Sequence, residues 1–358
     1  MKRPYALTTP RLAVTFAGCF LGAGYVSGQE LWHFFGSFGA AGLLGLLAAM
    51  LLLAMMGRVV LRLVRTTGEE DADKLIVFWD SPALRAIPGV VEIVFIFGTA
   101  VVMCAGVGAL AEQLFAVPPA VSCAVFTVLI AALYLAGIRG MVDAFEISVP
   151  VLVLCAAALC AVSLVRSGLP PLAAHTSHEA NPLLTHWFTS ALVFASYNVF
   201  ECVAILAPVA KLVPDEKTAR RGVALGALAL LFIALSVLFS ILSDPASVET
   251  ELPMLKMAAD LHPYLGYVYA AALGLTLTSA ALSSFVTSVR FAAKKLAKGP
   301  RGRACLLLLG AAAMYAGSLV GFNRLLGIVY PVYGYVTAVF VLLLAVHWVR
   351  IRRAARSA

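Results

Sequence analysis

The sequence predicts an all-α membrane protein of ten transmembrane helices in two five-helix halves, the second inverted relative to the first. Three observations predict it: an apolar composition poor in charge, ten apolar runs parted by polar or Pro/Gly-marked segments, and a one-sided distribution of lysine and arginine. Of 358 residues, 62% are hydrophobic and 12% charged, with a mean hydropathy of +0.97. A soluble domain carries about 25% charge, and a soluble chain this apolar would expose aggregating surface. A spanning helix takes about 20 apolar residues, so ten fit this length with short loops.

The runs are 11–36, 39–64, 88–115, 119–138, 143–165, 186–210, 222–242, 264–292, 304–322 and 325–348. Lys2, Arg3 and Arg11 precede the first run in the manner of a signal peptide. That run continues through Gly22–Glu30 without a small-x-small cleavage site, so it is read as a retained span. The acidic stretch from Glu69 to Asp73 follows span two, and Pro118-Pro119 marks the tight turn into span four. Residues 243–263 form a longer connection with a short helix expected from Ser247 to Leu261.

Orientation follows from the basic residues. With the N-terminus inside, all of the 26 lysines and arginines except Arg166, Lys256 and Arg324 fall in cytoplasmic segments. A wrong number of spans would scramble that alternation. Both termini are therefore expected in the cytoplasm, with the chain crossing the cell (inner) membrane. The net charge of +8 lies in these loops without the basic–aromatic interleaving of a nucleic-acid surface, so no nucleic-acid partner is expected. An odd number of spans per half inserts the second half upside down, the inverted repeat common among transporters. The expected organisation is a first repeat over 1–165, an extracellular loop over 166–185, a second repeat over 186–348 and a cytoplasmic tail over 349–358.

Three segments carry polar chemistry inside this apolar frame. The first is the glycine cluster of span one, Gly18, Gly22, Gly24 and Gly28, with Ser27, Gln29 and Glu30. One reading is an unwound segment at mid-membrane, where freed amides of Gly22, Ala23 and Gly24, beside Tyr25, hold a substrate carboxylate and freed carbonyls hold a cation. The other is close helix packing, since Gly18/Gly22 and Gly24/Gly28 are both GxxxG pairs. Glu30 favours the first, because an intramembrane acid costs roughly 2.5–3.5 kcal/mol on insertion scales and calls for a polar cavity, a partner or a proton.

The second segment is Ser196-Tyr197-Asn198-Val199-Phe200-Glu201 in span six, where polar residues and an acid interrupt an apolar run ahead of Pro208. Interrupted spans in corresponding places of the two halves point to a transporter site; a kinked helix with a packed tyrosine is the competing reading. The third is span eight, where Thr276, Ala280, Ser283, Ser284 and Thr287 share one helical face. Ser283 and Ser284 offer hard oxygen ligands, unless the hydroxyls are spent on their own helix or on helix packing.

The remaining features point away from enzyme chemistry. No Ser/His/Asp order, nucleotide-binding loop or HExxH is present. The seven cysteines (Cys19, Cys104, Cys123, Cys155, Cys160, Cys202 and Cys305) lie in apolar segments without metal-ligand spacing, so they read as packing residues. His175, His178 and Glu179 have helix-like spacing but lie in a proline-flanked loop. Glu92, Asp143 and Glu146 sit near the cytoplasmic ends of spans three and five and read as gate or loop contacts.

The stretch Gly22-Ala23-Gly24-Tyr25 resembles the glycine-rich break of the amino acid–polyamine–organocation superfamily. The stretch from Phe194 through Glu201 to Pro208, with Lys211 and Pro214, resembles that superfamily's sixth span and following loop. The run LGAGYVSGQELWHFF is similar to the YkvI-like amino-acid permease family, over essentially the whole chain. The resemblance implies the LeuT-type fold, with breaks in spans one and six holding substrate. It also implies a sodium site at the backbone carbonyls of Gly18 and Leu21 with Ala280, Ser283 and Ser284. Span five has no lysine, which departs from proton-coupled relatives and favours sodium. Asn198 or Val199 stands where relatives often have glycine.

The expectation is thus a sodium-coupled symporter of a small amino acid or related zwitterion, with no further cofactor. Substrate residues are expected among Gly22, Ala23, Gly24, Tyr25, Ser196, Tyr197, Asn198, Glu30 and Glu201. The alternatives are a membrane sensor that binds such a ligand without moving it, a proton-coupled permease using Glu30 and Glu201, and, less favoured by the clustered polar residues, a channel.

Overall fold

The computed structural model describes residues 7–135, 142–168, 181–296 and 299–357. Lys2, Arg3, Arg139, Lys298, the His175/His178/Glu179 group and most of the 166–185 loop lie outside them, as do the side chains of Asp143 and Glu146.

Among the described residues every regular element is helical. The first apolar run is not one helix but three: α1 (Thr9–Gly18), α2 (Ala23–Ser27) and α3 (Gln29–Phe34). They are followed by α4 (Ala40–Thr67), α5 (Ala72–Ile76), α6 (Pro82–Phe115), α7 (Pro119–Leu135), α8 (Val142–Ser167), α9 (Trp187–Val209), α10 (Glu216–Ser243), α11 (Pro253–Leu261), α12 (Pro263–Leu296), α13 (Gly299–Ser318) and α14 (Phe322–Ser357). The connection after α10 holds a 3-10 turn, Pro245–Glu249, and then α11, close to the short helix expected there. The final helix runs to Ser357 where a tail was expected from 349, because the Arg/Ala-rich end is a good helix former.

Among the described residues, five helices are long and apolar enough to cross a membrane: Ala40–Thr67, Pro82–Phe115, Glu216–Ser243, Pro263–Lys294 and Phe322–Ala354. A bent pair, Trp187–Val203 with Ile205–Leu212, makes a sixth if counted as one span. Pro119–Leu135 and Pro150–Arg166 are apolar but shorter. The first run misses the criterion because its two breaks leave no piece long enough. Large apolar side chains stand exposed along the outer faces, among them Leu51, Val94, Val125 and Leu342. Such surface is stable against lipid and unstable against water, and the chain is a multi-pass helical membrane protein.

The first broken run lies at the centre. α1 packs on α10, α4 and α14 pack on α9, α6 packs on α12, and α8 packs on α10 and α12. Phe16 of α1 lies against Gly57 of α4 and Gly226 of α10, where an added Cβ would meet its ring or the Ala13 carbonyl. At these two glycines the small-residue surface serves helix approach.

Candidate functional site

The chain of span one comes apart where its own hydrogen bonds run out. At the end of α1 the amides of Cys19 and Phe20 turn back to Phe16 and Ala17, at 3.2 and 3.1 Å, and the amide of Gly22 turns to the Phe20 carbonyl at 2.9 Å. Gly22 then adopts an extended conformation (φ −85°, ψ 171°) and caps α2. Among the described residues the carbonyls of Gly18 and Leu21 accept no hydrogen bond. The break therefore covers 19–22, ending on Gly22, the first residue of the expected Gly22-Ala23-Gly24 stretch, and it spends the Gly22 amide. The first-turn amides of α2, from Ala23, Gly24 and Tyr25, are the ones without intrahelical acceptors. A second break follows at Gly28, whose φ of 93° is left-handed.

Tyr25 does not face a cavity. Its side chain is fully buried and its hydroxyl donates to the Leu230 carbonyl of α10 at 2.7 Å. Glu30 folds back beside α2. Tyr197 of α9 donates its hydroxyl to Glu30 Oε1, and the other oxygen, Oε2, would lie 2.7 Å from a Cβ placed on Gly24. Gly24 thus gives the carboxylate room.

Span six differs from expectation in where it yields. Helix α9 stays wound through Ser196, Tyr197, Asn198 and Glu201. Ser196 and Asn198 return their donors to their own helix, at the Leu192 and Phe194 carbonyls (2.6 and 2.9 Å). The 46° bend comes later, between Val203 and Ile205. Pro208 has no N–H for the carbonyl four residues earlier, which accounts for a bend at that place.

A cavity of about 1040 Å³ joins these pieces. Gly18, Leu21, Gly22, Glu30, Tyr197, Asn198, Glu201, Ala280, Ser283 and Ser284 all line it. Ala23, Gly24, Tyr25 and Ser196 do not. On α12, Thr276, Thr278, Thr287 and Ser288 bond the carbonyl four residues back, at 2.7–2.9 Å. The hydroxyls of Ser283 and Ser284 make no hydrogen bond among the described residues and remain available on the cavity wall. Sequence reasoning missed Tyr330 of α14, which also lines the cavity and meets the Tyr197 ring edge to face at 5.2 Å. Its one signal was Tyr330-Pro331, a proline inside a spanning run.

The cavity extends from Glu30, Tyr197 and Tyr330 to Val14, Leu154 and Ser283, towards the end of the bundle where α1 begins. The other end is closed. Gln29 donates to the Thr250 carbonyl at 2.6 Å, His33 and Asn323 are joined at 2.5 Å, and the Asn323 amide donates to Glu251 at 2.6 Å. Among the described residues no three His, Cys, Asp or Glu side chains gather as a metal site.

Comparison with known proteins agrees with this architecture. The chain is 22% identical to the membrane protein YkvI of Bacillus subtilis (strain 168) over 336 residues, 92% of this chain and 93% of YkvI. It is 26% identical to YyaD of the same organism over 321 residues, 88% of this chain and 90% of YyaD. MhsT in complex with L-phenylalanine superposes with a TM-score of 0.63 at 14% identity, covering 92% of this chain and 87% of MhsT. This chain resembles YkvI and has the LeuT-type fold. An Eremococcus coleocola manganese transporter shares that fold, with a TM-score of 0.54 at 14% identity over 95% of this chain and 76% of its own. No family model matches the chain.

Proposed function

We propose that the chain is a secondary active transporter of the cell (inner) membrane. It carries a small amino acid or related zwitterion by alternating access, coupled to sodium, and it is not an enzyme. The observation that carries this reading is one shared cavity: the break of span one, the bent α9 and the unspent hydroxyls of α12 meet in it, open towards one end of the bundle and shut at the other. A channel would need a continuous polar lining, and this wall is mostly apolar apart from its central groups. MhsT, with the same fold, was crystallised with an amino acid.

Ten spans arise if α1–α3 count as one broken span and α5 and α11 as connections. The 5+5 repeat then relates span one to six and span two to seven. Packing supports it: α1 on α10 and α9 on α4 are the same contact under that exchange, as are α8 on α12 and α14 on α6. With the basic loops cytoplasmic, both termini are inside and the cavity faces inward.

Sodium suits the donors present. Gly18 and Leu21 offer unspent carbonyls, Ser283 and Ser284 unspent hydroxyls, and Ala280 stands beside them on the same wall. These are the hard oxygen ligands a small cation takes. A second reading, proton coupling, is favoured by Glu30 and Glu201 both lining the cavity. The test is a thermal-shift screen of amino acids with and without sodium. Sodium is expected to raise ligand-dependent stabilisation, and S283A/S284A to lose that increment while staying folded. Ligand stabilisation that depends on pH but not on sodium would move the coupling to the two glutamates.

A further inference from the structure

One face of α4 changes character along its length. Leu47, Leu51, Met55, Arg58, Arg62 and Arg65 follow one another at three or four residues, so they share a helix face. The first three are exposed apolar side chains, and the last three are guanidiniums. The helix has 28 residues, about 42 Å at 1.5 Å per residue, against a hydrocarbon core of about 30 Å. Counted from Ala40, Arg58 lies about 27 Å along the axis, so the apolar stretch falls at acyl-chain depth and the arginines at headgroup depth.

The three arginines converge on a single acid. Arg62 donates through Nε to Glu216 Oε1 of α10 at 2.7 Å, Arg58 stands 4.0 Å from the same oxygen, and Arg65 stands 3.8 Å from Oε2. A guanidinium carries five N–H donors and a carboxylate about four acceptor sites, so most donors of the cluster go unmatched. The Arg58 Nε is buried without an acceptor among the described residues. Neighbouring acids are already engaged: Glu70 with Lys211 at 2.6 Å, Asp71 and Glu69 with Lys74 at 2.8 and 3.1 Å, and Asp215 with the Thr218 amide at 2.6 Å. The arginine side chains remain 36, 36 and 33% exposed, so a second anion can reach them from outside. The Trp348 ring of α14, 6.0 Å from the Arg62 guanidinium, is a residue type enriched at the membrane interface.

We infer that this face of α4 binds an anionic phospholipid. Its acyl chain lies along Leu47, Leu51 and Met55, and its phosphate takes the donors that Glu216 leaves unmatched on Arg58, Arg62 and Arg65. Guanidinium forks suit phosphate oxygens, and basic clusters beside spanning helices attract acidic headgroups. The site lies outside the cavity and does not depend on what the cavity carries.

Native mass spectrometry of the purified full chain in neutral detergent tests it, with dioleoyl-phosphatidylglycerol or dioleoyl-phosphatidylcholine added and inorganic phosphate as a competitor. The glycerol lipid is expected to bind about tenfold or more tightly than the choline lipid. R58Q/R62Q should lose that preference. R290Q/K294Q, which removes the same charge from two exposed positions on α12, should keep it. Glu216→Gln removes the competing carboxylate and should tighten the glycerol lipid. If R58Q/R62Q does not fold, Glu216→Gln decides, and unchanged or weaker binding in it overturns the site. Equal binding of the two lipids overturns it, as does an equal loss in R290Q/K294Q, which would reduce the effect to net charge. Displacement of the glycerol lipid by an equal concentration of inorganic phosphate overturns the lipid assignment.

Discussion

Gly24 shows how one missing side chain positions a charge. A Cβ there would lie 2.7 Å from Glu30 Oε2 and 3.0 Å from Leu326 Cδ2, so a larger residue must push the carboxylate away from the Tyr197 hydroxyl. Gly24→Leu is expected to lower ligand affinity by about tenfold or more, equivalent to about 1.4 kcal/mol or more, in a protein that still elutes as a folded species. Calorimetry that finds unchanged affinity would separate Glu30 from binding. The sequence made Gly24 and Glu30 legible as a pair of oddities, a flexible residue and a costly acid in one span. It did not show that Gly24 serves the acid by making space, because that contact needs the fold of α3 back beside α2. Tyr330 was illegible for a related reason: a tyrosine in an apolar span reads as packing until its neighbours across the bundle are known. Ser283 and Ser284 were legible as ligands only as part of a hydroxyl-rich face, and which of those hydroxyls bond their own helix is a matter of rotamers.

Between elements, the informative contrast is between the two interrupted spans. Four glycines in span one signalled a break, and two of them, Gly22 and Gly28, lie in the two breaks found. The polar triplet Ser196-Tyr197-Asn198 signalled a break in α9 that lies elsewhere, since Ser196 and Asn198 satisfy their donors on their own helix and leave it wound. Proline, visible at 208, was the physical cause of the bend. The closed end is built from α3, α14 and the connection before α11. Its bonds, Gln29 to Thr250, His33 to Asn323 and Asn323 to Glu251, are each worth about 0.5–1.5 kcal/mol net. Burial, with the Glu112 charge adding to it, holds the Glu251 carboxyl above the usual carboxylate range despite the Asn323 amide. A raised value means the closed state holds the proton more tightly than a state with Glu251 in water. That contribution is full below the ordinary carboxylate pKa, about 4.3, and is lost as pH rises through the raised value. Hydrogen exchange of residues 245–261 is therefore expected to quicken over that window relative to the same segment in Glu251→Gln. An identical pH profile in the variant would remove Glu251 from the closure.

At the scale of the whole molecule, composition and basic-residue asymmetry made a multi-pass helical protein legible. The packing of broken α1–α3 against α10 and of α9 against α4 became visible only with the fold. The molecule is shut at one end and open towards the other, as one state of an alternating-access cycle would be. The ligands available for sodium come from α1, which meets the cavity from one side, and from α12 on the other. An ion between them would tie the span-one break to α12, and if it also favours the substrate-binding arrangement, linkage requires substrate and sodium to raise each other's affinity by the same factor. The measurement that reaches this claim directly is uptake into proteoliposomes of labelled ligands identified by the binding screens. A sodium gradient, a proton gradient or neither is imposed, and the unmodified chain is compared with S283A/S284A. The account predicts accumulation driven by the sodium gradient and lost in the double variant. Ligand binding without accumulation under any gradient would contradict transport and leave a sensor, and accumulation driven by protons alone would contradict the sodium site.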